Sequence, residues 1–209
     1  VLVGLYGGTF DPVHRGHTHA ALSVADLLAL PVVRMVLAAR PGHRGQPTAE
    51  VDHRWRMLEL ACAESERLVA DACELNRQGK SYTIDTVSEA RAQGDVPCWI
   101  LGQDAFATLP IWHRWQELMN QCNLIVTDRP GDRRQEPGQV VDLCRRHEVG
   151  RLDVSCVGQI IRVDLPMQPI SATQVRNRIR YGLDVQHLLA PAVCTYIRAH
   201  GLYTLPDKT

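Results

Sequence analysis

The chain has 209 residues, 45% of them hydrophobic, with 23 basic and 23 acidic residues and no formal net charge at pH 7. That is ample for a buried core within one domain spanning 1–209. The lack of a basic excess argues against a general nucleic-acid binder. No apolar run reaches membrane-spanning length and the first residues do not open a signal peptide, so no membrane partner is expected. Seven cysteines, with no C-x-x-C pair among them, read as reduced buried thiols of a cytoplasmic protein, not as a zinc ribbon or disulfide framework.

In chain order, 2–6 is a short apolar run ending in Gly7-Gly8 and reads as a buried strand. Residues 17–30 are Ala/Leu-rich with helical period, and 32–38 is again β-branched and apolar. A helical spacing of Trp55, Leu58, Ala61 and Cys62 follows over 53–65, then a third strand at 68–73. A helix is expected at 84–92, and further strands at 98–101, 124–126 and 160–163. Helices near 173–181 and 191–200 make a helical C-terminal part, about 171–203. Residues 40–51 and 129–138, rich in Pro and Gly, read as loops, the first on the ligand side and the second a surface insertion. Strands alternating with helices imply an α/β, Rossmann-like, doubly wound, mostly parallel sheet. Ligands bind such sheets beyond the carboxyl ends of the strands, at the switch point in strand order.

The first strand runs into Gly7-Gly8-Thr9-Phe10-Asp11-Pro12-Val13-His14-Arg15-Gly16-His17 and then a helix. The two glycines allow close approach of backbone to a phosphate chain, and the helix start offers N–H groups and positive dipole to an anion. His14 and His17, three apart, can face the same side of the first turn and donate to a phosphoryl group as it gains charge. The glycine spacing fits neither the dinucleotide fingerprint G-x-G-x-x-G nor the Walker pattern. A metal cluster of His14, His17 and His19 is the competing reading; it leaves the glycines unexplained and has no Cys, Asp or Glu partner at ligand spacing. A second stretch, Pro169-Ile170-Ser171-Ala172-Thr173-Gln174-Val175-Arg176, opens the penultimate helix, where Ser171 or Thr173 can cap it and Arg176 can fork onto phosphate oxygens.

The first stretch resembles the (H/T)-x-G-H signature of the nucleotidyltransferase superfamily, in the long form G-G-T-F-D-P-x-H-x-G-H typical of bacterial nicotinate mononucleotide adenylyltransferases. The second resembles the I-S-x-T-x-x-R signature of the same superfamily. Between them Gly79-Lys80-Ser81-Tyr82-Thr83-Ile84-Asp85-Thr86, Leu101-Gly102-Gln103-Asp104, Trp112 and Arg129-Pro130-Gly131 occur in the order of that adenylyltransferase family, from about residue 2 to Tyr203.

The resemblance implies transfer of AMP from ATP to nicotinic acid mononucleotide, with Mg²⁺ shielding the triphosphate. It implies catalytic roles for His14, His17 and Arg176. Gly7, Gly8, Thr9, Phe10, Ile170, Ser171 and Thr173 would bind ATP, with Gly102 and Asp104 at the ribose. Tyr82, Thr83 and Trp112 would bind the mononucleotide, Trp112 stacking on the pyridine ring and Thr83 meeting its carboxylate, with His43 and Arg44, or Arg54 on the next helix, at phosphates. Each has a bland counterpart: Trp112 and Tyr82 as core aromatics, Asp104 as a helix N-cap, Trp115 and His19 as packing and surface residues.

The loop after the second strand departs from the family's P-N-x-x-P-P-H-K/R, with Ala38 for the Asn and Gly42 for the second Pro. His113 stands where members often carry Tyr. Two alternatives stay open: preference for the amide, nicotinamide mononucleotide, and a non-catalytic nucleotide-binding regulatory module.

Overall fold

The computed structural model describes residues 1–41, 46–128, 136–165 and 169–205. Six parallel strands form one sheet: β1 (Leu2–Gly8), β2 (Val33–Leu37), β3 (Leu68–Asp71), β4 (Val96–Gly102), β5 (Asn123–Asp128) and β6 (Ile160–Asp164). Their spatial order is β3-β2-β1-β4-β5-β6. The order reverses between β1 and β4, which makes the crevice beyond Gly8 and Gly102 the switch point of a doubly wound sheet.

Side chains alternate across the strands. Met35, Leu37, Cys98 and Ile100 enter one core, shared with α1 (Arg15–Leu27), α2 (Val51–Cys62), α6 (Ala172–Arg180) and α7 (Pro191–Ala199). Val3, Leu5, Trp99 and Leu101 enter the other, with α3 (Thr83–Ala92), α4 (Gln103–Ala107) and α5 (Gly138–His147). Gly4 is required by the first core, because a Cβ there would lie 2.9 Å from Val33 Cγ2.

All six strands lie where the apolar runs put them. The first helix stops at Leu27, short of 30, because Ala29 turns into the left-handed region at φ 50° ahead of Pro31. α5 was not expected: it buries only Val140 and Leu143, too short an apolar stripe to stand out from its charged neighbours. Of the presumed insertion at 129–138, residues 129–135 lie outside the described residues. Its far end is no free surface loop, since Glu136 accepts from Arg162 at 2.6 Å and from Gln103 at 2.7 Å.

Beneath the first motif lies Arg54, 2% exposed. Its guanidinium donates to the carbonyls of Thr9 (2.9 Å), Ala38 (2.9 Å), Ala39 (3.1 Å) and Ala49 (3.2 Å). Burial lowers its pKa while Asp11 opposes the shift. The expectation that Arg54 meets phosphates is therefore corrected: its donors are spent on backbone. Removing a buried charge with four hydrogen bonds leaves four carbonyls short of partners. Arg54→Ala should cost about 3–5 kcal/mol of stability, read as a drop in Tm of about 2–4 °C per kcal/mol. A thermal melt within 2 °C or so of wild type would mean that these carbonyls find other partners.

Candidate active site

The cleft at the switch point has a volume of about 590 Å³ and runs from Gly7–Phe10 and His17 to Tyr82, Thr83 and Trp112. Its floor is set by what the glycines admit. A Cβ on Gly7 would lie 2.5 Å from the Trp99 ring, and one on Gly8 would lie 2.6 Å from the Phe10 ring. The glycines thus make room for the protein's own aromatics, which bring the backbone to the cleft surface. Phe10 sits at φ 48°, an unfavourable region for a bulky residue. Its buried ring offsets that cost by edge packing on His17 (5.1 Å between centroids, 88°) and Tyr6 (6.3 Å, 81°).

His14 is the N-cap of α1, extended at φ −142°, and its ring stacks on His17 at 3.6 Å. The His14 backbone N–H donates to His17 Nδ1 (3.2 Å). A neutral His17 therefore carries its proton on Nε2 and is a donor there. His14 is 6% exposed; burial lowers its pKa to about 4 and holds it neutral at neutral pH. Its Nδ1 is buried without a hydrogen-bond partner among the described residues. Gly16 is needed beside it, because a Cβ would lie 3.0 Å from that Nδ1 and 3.5 Å from Ile170. The two motifs touch at this point.

The second motif docks directly on the first. Ser171 Oγ accepts from the Gln174 N–H (3.1 Å) and is the cap of α6. Thr173 is not a cap; its Oγ1 accepts from Arg176 Nη2 (3.2 Å). Arg176 Nη1 donates to the Asp11 carbonyl (2.7 Å) and lies 3.8 Å from the Asp11 carboxylate. Of this motif Ala172 lines the cleft.

Asp11 ties the site together. Its buried carboxylate accepts from the N–H groups of Thr48 (2.7 Å) and Ala49 (3.1 Å) and from the Tyr203 hydroxyl (2.9 Å). Sequence spacing gives no sign of this, because the partners lie far away along the chain.

At the other end, Tyr82 is the N-cap of α3 but makes no side-chain cap, and Thr83 follows it on the cleft wall. Tyr82 packs on the core and also stacks on His113 (4.2 Å, 28°). Trp112 packs partly on the core and lines the cleft, its Nε1 donating to Thr108 Oγ1 (3.3 Å). Trp115 packs on the core. Gly102 caps α4 and Asp104 is exposed in its first turn, so the N-cap reading of Asp104 is corrected. His43 and Arg44 lie outside the described residues, as do Arg129-Pro130-Gly131. Among the described residues no group of three His, Cys, Asp or Glu side chains is placed to hold a metal ion. Glu74, buried on the cleft wall, was not anticipated.

A family model described as cytidylyltransferase-like matches residues 5–178. A relative from Aeromonas hydrophila named "Probable nicotinate-nucleotide adenylyltransferase" is 41% identical over 207 residues, covering 96% of each chain. One of the same name from Pseudomonas paraeruginosa is 42% identical over 209 residues and covers 98% of each. The solved Plasmodium falciparum nicotinic acid mononucleotide adenylyltransferase complexed with NaAD superposes with TM-score 0.72 at 16% identity, covering 97% of both chains, a likeness of fold. The chain belongs to the cytidylyltransferase-like family and, within it, to the nicotinate-nucleotide adenylyltransferases, and it is a nucleotidyltransferase.

Proposed function

We propose that this chain transfers the adenylyl group of ATP to nicotinic acid mononucleotide, giving deamido-NAD and pyrophosphate in the cytoplasm, and that residues 1–209 act as one domain. The observation that carries this is the shape of the switch-point cleft. His17, its ring stacked on the buried His14, stands at one end. An aromatic wall of Trp112 and an uncapped helix start at Thr83 stand at the other.

The 5′-phosphate oxygen of the mononucleotide attacks the α-phosphorus of ATP in line. The new P–O bond forms as the bond from that phosphorus to the bridging oxygen breaks, and pyrophosphate leaves with the electron pair. No protein nucleophile is required, so the work is positioning and charge stabilisation. His17 donates from Nε2 to the phosphoryl oxygens. Neutral His14 stacks behind it as a second donor, and Arg176 supplies a fixed positive charge. Gly7, Gly8, Thr9 and Phe10 offer backbone to the nucleotide; Ile170, Ser171 and Thr173 hold the second loop against it. Gly102 and Asp104 meet the adenosine ribose, a carboxylate accepting from a diol. Trp112 stacks on the electron-poor pyridine ring. Tyr82 and Thr83 frame its carboxylate at the start of α3, and His43 and Arg44 contact phosphate.

Mg²⁺ is the cation we assign to this reaction. It would be carried in on the triphosphate oxygens, which are hard ligands suited to it. When bound, it neutralises part of the phosphate charge.

Incubation with ATP, Mg²⁺ and either mononucleotide should release pyrophosphate faster with the acid. Faster release with the amide would reverse the substrate assignment, and release with neither, despite ATP binding, would make the chain a regulatory module. His17→Ala should lower kcat roughly 10²–10³-fold, the effect of losing one transition-state donor; near-normal turnover would remove His17 from the chemistry. Trp112→Ala should raise KM for the mononucleotide by about 1–3 kcal/mol equivalent, roughly 5-fold to 150-fold, with KM for ATP little changed. Equal effects on both would make Trp112 a packing residue.

A further inference from the structure

Behind the wall formed by Ser81, Tyr82 and Thr83 lies a carboxyl group that the reaction as described does not use. Glu74 follows β3 and is 5% exposed, yet borders the cleft. Its Oε1 accepts from the buried Thr86 hydroxyl (2.8 Å), in the first turn and a half of α3. The Ser81 hydroxyl and the Ala39 N–H also act on this carboxyl. Ser81 in turn is pinned to the loop after β2: its Oγ accepts from the Arg40 N–H and its N–H donates to the Arg40 carbonyl, both at 3.1 Å. One carboxyl therefore joins the end of β3, the loop after β2 and the start of α3. Oε2 is buried without a hydrogen-bond partner among the described residues.

We propose that Glu74 is the positioning residue that sets the preference of this cleft between a carboxylate-bearing and a carboxamide-bearing mononucleotide. It holds Ser81–Thr83 in place, and its charge is felt by the ring substituent across that wall. The proposal rests on the adenylyl-transfer reading above. A buried anion behind the helix start opposes a second anion in front of it; a neutral carboxyl does not. Burial is the largest influence on Glu74 and raises its pKa, against the Ser81 and Thr86 hydroxyls and the Arg77 charge. A raised pKa means that the proton is kept to higher pH, so the acid is favoured at low pH and the advantage declines as Glu74 ionises.

The neighbouring charges are these. On its own segment, Asp71 accepts from the Cys73 N–H, and the Cys73 thiol is pushed up to about 12 and stays neutral. Arg77 is paired with Glu89 of α3 (2.6 Å). Arg40 reaches from the β2 loop to the Arg77 carbonyl (2.9 Å). From beyond α3, His113 stacks on Tyr82.

The test is the ratio of kcat/KM for the acid to that for the amide, followed upward from the ordinary carboxylate range, from about pH 4 to about pH 9, in wild type, E74Q and H113F. Titrations common to both reactions, those of ATP and the 5′-phosphate included, cancel in this ratio. The wild-type ratio should fall with rising pH, stay flat in E74Q and keep falling in H113F. A slope kept in E74Q and lost in H113F would assign the effect to His113 and overturn the proposal, as would a flat wild-type ratio. E74A should raise KM for the acid by roughly tenfold with KM for ATP unchanged, and E74Q should restore it; equal rises in both would make Glu74 merely structural. If E74A does not fold, the pH profile of the isosteric E74Q decides. Wild-type protein inactive with both mononucleotides would sink the functional reading itself.

Discussion

A single buried guanidinium underlies the active end of this fold. Arg54 reaches from α2 to carbonyls on both sides of the β1–β2 edge of the cleft. Loops that follow strands present unpaired carbonyls, and covering them with protein demands donors. Arginine supplies five in a rigid fork, and four of them go to carbonyls here. The desolvation of that charge is offset in part by Asp11, whose carboxylate also anchors the start of α2 and the C-terminal Tyr203. The Tyr203 hydroxyl, with its pKa raised mainly by burial, stays a donor to that carboxylate. The cleft-lining backbone of Gly7–Phe10 thus rests on an ionic layer, while the two hydrophobic cores hold the sheet beneath it.

That layer explains the charge economy of the cleft. Two anionic substrates must approach each other, yet the free protein cannot bury loose cations without cost. The fold answers with neutral donors and committed charges. His14 is kept uncharged by burial, and His17 is set in one tautomer by the backbone of the cap that it completes. Arg176 is parked on Asp11 and Thr173 at the edge. The first turn of α1 is thereby locked by the stacked His14–His17 pair and the hydrogen bond between them.

The altered loop after β2 is also intelligible. Ala38 has its carbonyl on Arg54 and its N–H on the Gly8 carbonyl (2.9 Å), so its backbone is fully used whatever its side chain. Pro41 pairs with Ser81, which carries the loop's position across to α3. The place of Ala38 and Pro41 is set by backbone partners, consistent with loss of the usual Asn side chain.

All six strands were legible in the chain because parallel strands buried on both faces read as continuous apolar runs, and the two signature stretches were legible because each is contiguous. The sequence by itself determined the doubly wound class, the placement of His14, His17 and Ser171 at helix starts, and the family resemblance. Only the tertiary structure decided that Arg54 lies under the loop and not on a phosphate, that Asp11 joins residues as distant as Thr48 and Tyr203, and that Glu74 stands behind the start of α3. The physical reason is common to all three. A charged side chain looks alike in sequence whether solvated or buried, and its role is set by which carbonyls, hydroxyls and amides the fold brings within hydrogen-bond reach.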